Sequence, residues 1–369
     1  SLEAATPMSR LSSSPSSASG KAKVVRSAPR SCSRPCSRFV PSASLRLTPL
    51  PLDYDDVARV VQNAIADACK NSTAASSTNN AAPSVYEIEI PVGGLRNVPG
   101  DVEGNVEHNL CMGLIQRFVA TFEASSNNCT GRRAPTDVRG KCCVLFPDKT
   151  ELKVATSGLV AGFRQGAFDF DAPFPNGAFD GGRCTYLRDP SVFTEVPQVA
   201  KFLFGGGASG TKQEETIAAR IRDDDAAFIV AYPSVNISDL TAALVELPDA
   251  IQESSSASRP VITVNAELDR IRSGYYPAIW TKFEMDELRE RMKRVDAIAY
   301  LHNFKGSKPA ALWRVFDEPW QLLRYNPDGS TTLIWMSEPN EPMPSLQRCA
   351  LELIPKFWAS PDRTRVPKD

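Results

Sequence analysis

Apolar and polar positions follow two periods along the chain. In DYDDVARVVQNAIADACK, Asp53 to Lys70, the residues Val57, Val60, Val61, Ala64, Ile65 and Ala68 recur three and four apart. That stripe predicts a helix, with aspartates at the end where its dipole favours negative charge. VYEIEIP, from Val85, alternates and predicts a strand. A second helix is expected over about Val102 to Glu123, and KCCVLFP, from Lys141, reads as a buried strand. The middle, residues 157–210, is rich in glycine and phenylalanine and shows no clear period. The pattern then returns. AAFIVAYP predicts a strand, ISDLTAALVEL a helix and PVITVNAEL a strand. KFEMDELRERMKRV predicts a charged helix with Glu287–Arg291 and Glu290–Arg294 pairs four residues apart, and AIAYLHNF another strand. Three closely spaced strands, ALWRVF, WQLLRY and TLIWMSE, lead to a last helix, SLQRCALELIPKFW. Leu346, Cys349, Ala350, Leu353 and Phe357 share one face of it, which is expected to pack on the sheet.

Alternating helices and apolar strands predict a mostly parallel sheet covered on both faces. The links after Lys308 are too short for crossover helices, so those strands are expected to pair antiparallel. The expected fold is one three-layer α/β domain over residues 48–369, mostly parallel, with a C-terminal antiparallel extension.

Composition adds a boundary. The chain has 369 residues, 42% hydrophobic and 23% charged, as a globular protein does. No run of about 18 apolar residues is present to span a bilayer. The net charge of −1 is unevenly spread: residues 1–47 carry eight basic side chains and one acid, so the remainder holds −8. That leading stretch, with RLSSSPSSASGKAKVVRSAPRSCSRPCSR, has the serine- and arginine-rich, acid-poor make-up of an organelle transit peptide of the chloroplast kind. The acidic remainder argues against a nucleic-acid partner, which needs a basic footprint. Nine cysteines and two histidines, His108 and His302, form no zinc spacing, so no metal and no cofactor is expected. The cysteines are expected to be reduced thiols, and adjacent Cys142 and Cys143 are awkward to bridge.

Motifs for catalysis are incomplete. FGGGASGTK, Phe204 to Lys212, has the glycine spacing of a phosphate loop, but Thr211 and Lys212 are transposed relative to the Gly-Lys-Ser/Thr that such a loop needs. GxSxG and HExxH do not occur, so no catalytic residue is assigned. Ligands of open α/β sheets bind at the carboxyl ends of strands. Those ends carry NAELDRIRSGYYP and HNFKGSK, which supply Asn265, Asp269, Arg270, Arg272, Tyr275, Tyr276, His302, Asn303, Lys305 and Lys308 as candidate binding residues. Three readings stay open for them. Cations bind phosphate or carboxylate well, which suits a nucleotide, a phosphometabolite or an enzyme's substrate. Tyrosine and arginine also favour protein recognition. An internal network is the third: Asp269 paired with a nearby arginine and a tyrosine packed on the sheet.

Five segments carry a resemblance: YEIEIPVGGLRNVPGDVEGNVEHNLCMGLIQRF, FIVAYPSVN, NAELDRIRSGYYP, HNFKGSKPAALWRVFDEPWQLLR and MPSLQRCALEL. From Leu52 to about Leu353 the chain resembles the Low PSII Accumulation 3 family of plastid and cyanobacterial-type domains, for which no catalytic residues are established. Three stretches depart from it and look like insertions, near 71–84, 125–141 and 205–212. The resemblance implies a non-enzymatic, chaperone-like factor of the chloroplast stroma, peripheral on the thylakoid, that assists photosystem II assembly. The partners it implies are the photosystem II core antenna protein and a thylakoid insertase of the Alb3 type.

Overall fold

The computed structural model describes residues 47–75, 84–98, 101, 104–122, 141–157, 178–179, 182–188, 216–233, 237–254, 259–274 and 282–358. The stretch up to residue 46, expected to be a transit peptide, the phosphate-loop-like glycines and most of each expected insertion lie outside them.

In chain order the elements are α1 (Tyr54–Ala75), β1 (Val85–Glu89), α2 (Gly104–Val119), β2 (Lys141–Asp148), α3 (Lys149–Ser157), β3 (Ala178–Phe179), β4 (Gly182–Arg188), α4 (Ile217–Arg220) and β5 (Asp225–Ala231). Then come α5 (Ile237–Thr241), α6 (Leu247–Ser254), β6 (Val261–Val264), α7 (Asp269–Arg272), α8 (Lys282–Met292), β7 (Asp296–Phe304), β8 (Ala310–Val315), β9 (Gln321–Tyr325), β10 (Thr331–Met336), α9 (Leu346–Arg348) and α10 (Ile354–Phe357).

The strands form one sheet in the order β10-β9-β8-β7-β1-β6-β5-β2-β4-β3. Strands β4, β2, β5, β6, β1 and β7 run parallel to one another. Strands β8, β9 and β10 continue it antiparallel, and two-residue β3 adds an antiparallel edge at the far end. This is the expected mostly parallel, three-layer class. Its winding reverses once: β1, β2 and β4 progress towards one edge, whereas β5, β6 and β7 return towards the other. Right-handed crossovers then put the two sets of helices on opposite faces. One core accordingly joins α1 and α2 to Ile88, Ile229, Ile262 and Trp313. On the opposite face Leu240, Leu244, Ile251 and Leu288 pack against Phe228 and Val230. Beyond them Cys349, Leu353, Ile354 and Phe357 cover Tyr300, Leu312 and Leu322. Burying each large side chain of this kind stabilises the fold by about 1.5–3 kcal/mol.

Several local expectations change. Helix α1 extends to Ala75 and β6 stops at Val264, because Asn265 takes a left-handed φ of 48°. Glu290 pairs with Lys293 at 2.5 Å rather than with Arg294, while Glu287 and Arg291 meet at 3.8 Å. The helix after β5 runs beyond Leu247 to Ser254, through a π-helical turn at Ala242–Glu246. Pro248 follows that turn, and Pro355 follows a second one at Cys349–Leu353. A proline lacks an N–H and its ring collides with the carbonyl four residues back; a widened turn relieves both. The second π turn also shifts the buried stripe of the last helix, so that Ala350 is exposed and Ile354 is buried in its place. Cys142 and Cys143 sit on opposite faces of β2, each in a different core, and neither forms a disulfide. Among the described residues no helix is long and apolar enough to cross a membrane.

Candidate functional site

Strands β1 and β6 are neighbours, yet their outgoing connections leave towards opposite faces. The loops part there and open a crevice, the usual ligand position in such sheets. It has a volume of about 220 Å³, and its lining includes Glu89, Glu107, Asn265, Glu267, Asp269, Arg270, His302 and Asn303. The two sequence segments singled out thus converge, the first from the end of β6 and the second from the end of β7.

Asn265 locks the crevice floor. Its backbone N–H donates to the Ile88 carbonyl at 2.8 Å. Its side chain then bridges to Ile90 in both directions: the Ile90 N–H donates to Oδ1 at 3.0 Å and Nδ2 donates to the Ile90 carbonyl at 3.0 Å. An amide is the side chain that both donates and accepts here, and asparagine tolerates the left-handed φ better than most residues. Glu267 (φ 49°) and Tyr232 (φ 32°, at the end of β5) are also left-handed. Such residues cost on the order of 1–3 kcal/mol each and cluster where a fold holds a site in shape.

The other candidates are tied to neighbours. The Tyr300 hydroxyl makes a short hydrogen bond to Asp269 Oδ2, and His302 Nδ1 lies 3.7 Å from the same oxygen. Arg272 donates to Glu87 Oε1 at 2.7 Å and to Asp269 Oδ1 at 3.0 Å, and Arg270 pairs with Glu267. Asn303 Nδ2 donates to the carbonyls of Leu95 (2.9 Å) and Asn97 (2.7 Å), while its Oδ1 accepts from Tyr325 at 2.7 Å. It straps the β1–α2 loop across the end of β7. Lys305 pairs with Asp101 and lines an adjoining cavity. Lys308 lies in the turn after β7, and Tyr275 and Tyr276 lie outside the described residues.

Electrostatics separate the crevice from a phosphate cradle. Among the described residues, four carboxyl groups line it against one guanidinium. Burial raises the Glu89 carboxyl well above the ordinary range, and Asp269, Glu87 and Glu267 push it further. Burial also raises Glu267 and Glu107, with Arg270 opposing in both. Two positions back on the same strand, Glu87 is raised by burial despite Arg272, and its Oε2 has no hydrogen-bond partner among the described residues. Arg272 is held above its usual value because Glu87 and Asp269 outweigh its own desolvation. Desolvation lowers His302 against the pull of Asp269, so its imidazole is neutral at pH 7. An anion in the crevice meets carboxylates; a donor-rich group meets acceptors. Among the described residues no cluster of His, Cys, Asp and Glu has the arrangement of a metal site.

Sequence reading missed Glu87 and Glu89, Glu107 of α2 and Tyr300. The signal was present in YEIEIP. Alternation on a strand usually means one solvated face, but a central strand of a three-layer fold has none. Of the two acids there, Glu87 is buried and Glu89, at the strand's end, is half-buried.

No curated protein and no solved structure matches the chain significantly. A family of sequences does. Its profile covers residues 51–350, from the start of the described body to the final helix, and takes in every strand and the whole crevice. The chain therefore belongs to the family described as a domain of unknown function, DUF1995.

Proposed function

We propose that the protein is a non-enzymatic chloroplast factor that assists photosystem II biogenesis by binding a partner protein. The partners proposed are the nascent core antenna subunit and the thylakoid insertase, met from the stroma at the membrane surface. The observation that carries this reading is positional: two of the segments that carry the resemblance to the Low PSII Accumulation 3 family, NAELDRIRSGYYP and HNFKGSK, converge on the switch-point crevice. Their polar groups hold one another in fixed positions. A rigid, preformed arrangement of this kind lowers the ordering cost of recognition. Arg270, about half exposed beside Glu267, is the side chain best placed to reach a partner.

The test is recovery of partners from chloroplasts with the tagged protein and its Arg270→Ala variant. Arg272 is unsuited to it, because its loss opens a buried ion pair. The proposal expects photosystem II subunits or the insertase with the wild type and several-fold less with Arg270→Ala. Recovery of no thylakoid protein by the wild type overturns it.

A further inference from the structure

A second cavity adjoins the crevice across Asn303, over the β7–β8 turn and the end of β9. Its volume is about 680 Å³. Among the described residues three cationic side chains line it, Arg96, Lys305 and Arg324, and no carboxylate does. Asp101 answers Lys305 from outside the lining. No described carboxylate answers the arginines in the same way. Arg96 Nη2 donates to the Gly329 carbonyl at 2.8 Å, and its guanidinium stacks 4.6 Å from the Tyr325 ring centre. Arg324 donates from Nε to Asn326 Oδ1 at 3.1 Å and from Nη1 to the Trp358 carbonyl at 3.0 Å, with its guanidinium 5.7 Å from the Trp358 ring centre. Neutral oxygens and ring faces position both groups without cancelling their charge, and a guanidinium has five N–H donors, more than these contacts use. Arg183, Arg188, Arg272 and Arg314 differ, each meeting a carboxylate at 2.5–2.7 Å.

We propose that this cavity binds a phosphate monoester with a planar or apolar body. Two pre-positioned guanidinium groups match the geometry and charge of a phosphate, which binds arginine through paired N–H donors. Phe304, Pro309 and the Trp358 ring give the remainder of such a ligand an apolar wall. The size lies within the range of about 300–1,000 Å³ of small-molecule sites. The crevice next door, lined by carboxyl groups, repels the same ligand, so the two cavities are chemically distinct. This site is independent of the partner binding proposed above.

The experiment is titration calorimetry of the full chain with AMP, adenosine and pyrophosphate. A parallel arm measures sedimentation with phosphatidylcholine vesicles, plain or containing phosphatidic acid. AMP is expected to bind saturably and adenosine not. Arg96→Gln and Arg324→Gln are each expected to weaken AMP at least about tenfold, a loss of about 1.4 kcal/mol. Arg96→Lys, which keeps the charge, should lose less. Binding to the phosphatidic acid vesicles alone, abolished in the same variants, keeps the phosphate site and identifies a lipid headgroup as its source. Arg96 makes a single carbonyl contact on an exposed loop, so Arg96→Gln decides the matter even where Arg324→Gln impairs folding. Binding of neither probe, or binding unchanged in Arg96→Gln, overturns the proposal.

Discussion

Removing Arg272 should expose how strongly the buried acids of β1 depend on it. Glu87 has a side chain 3% exposed, and Arg272 supplies the one hydrogen bond its carboxylate makes among the described residues. Arg272→Ala strands that charge and also removes a 3.0 Å contact to Asp269. Breaking a buried pair from one side costs about 3–5 kcal/mol, because the remaining charge is desolvated and unpaired. Adding Glu87→Gln removes the charge, so the double variant should recover at least about 1.5 kcal/mol of that loss, a coupling within the range for contacting residues. Urea unfolding of the four proteins, compared at constant m, measures both quantities. The pH dependence has a fixed sign. Without Arg272 the folded-state pKa of Glu87 lies still higher above its unfolded value of about 4.3. The deficit therefore grows as pH rises through the folded-state value of Glu87 in the wild type, itself above the unfolded value, towards that in the variant, and shrinks as pH falls below both. A deficit under about 1 kcal/mol at pH 7, or one that is independent of pH with no recovery in the double variant, would refute the assigned ion pair, since both fall outside what a stranded buried charge costs.

Other buried groups give further expected outcomes. Glu89→Gln should raise stability at pH 7–8, since a carboxyl held far above its usual range opposes folding as pH rises from about 4.5 through its folded value. Each tenfold difference in proton affinity between the folded and unfolded states corresponds to about 1.4 kcal/mol, and thermal melts across pH should show a flatter profile in the variant than in the wild type. Asn265→Ala should cost about 3 kcal/mol or more, by stranding the buried N–H and C=O of Ile90 and straining the left-handed backbone, whereas Asn265→Gly should recover only the strain in the same urea assay. In an NMR titration the His302 imidazole should have its midpoint below 6.5, and Asp269→Asn should lower it further by removing the charge that opposes desolvation. Cys69 and Cys184, both pushed up to about 12 by burial, should resist thiol reagents at pH 8 until the protein unfolds.

The periodic parts of the fold were legible in the sequence because each buries a face that its own spacing defines. The α1 stripe, the apolar runs of β2, β5 and β7, and the short links of β8 to β10 all read correctly. Strand β4, GRCTYLR, did not: only Thr185 and Leu187 of it are buried, and glycine-rich sequence surrounds it. The order of strands was hidden for another reason. Val85 of β1 pairs with Val261 of β6 across four intervening strands of the same sheet, β2 to β5, and the helices between them, and no local pattern records such a long-range choice. The site was half legible. Polar residues at strand ends marked it, but their partners Glu87 and Tyr300 come from strand interiors, and Glu89 from the end of an alternating strand, where polarity suggested solvent. The ion pair of Arg272 with Glu87 spans 185 positions in sequence and turned a candidate recognition residue into a structural one.

Pulse-labelling of chloroplasts that lack the protein decides whether it helps to assemble photosystem II. The core antenna subunit should be synthesised normally but enter complete photosystem II slowly, with the rate restored by the wild-type protein and poorly by Arg270→Ala. Assembly at the wild-type rate in the absence of the protein would contradict the proposed role.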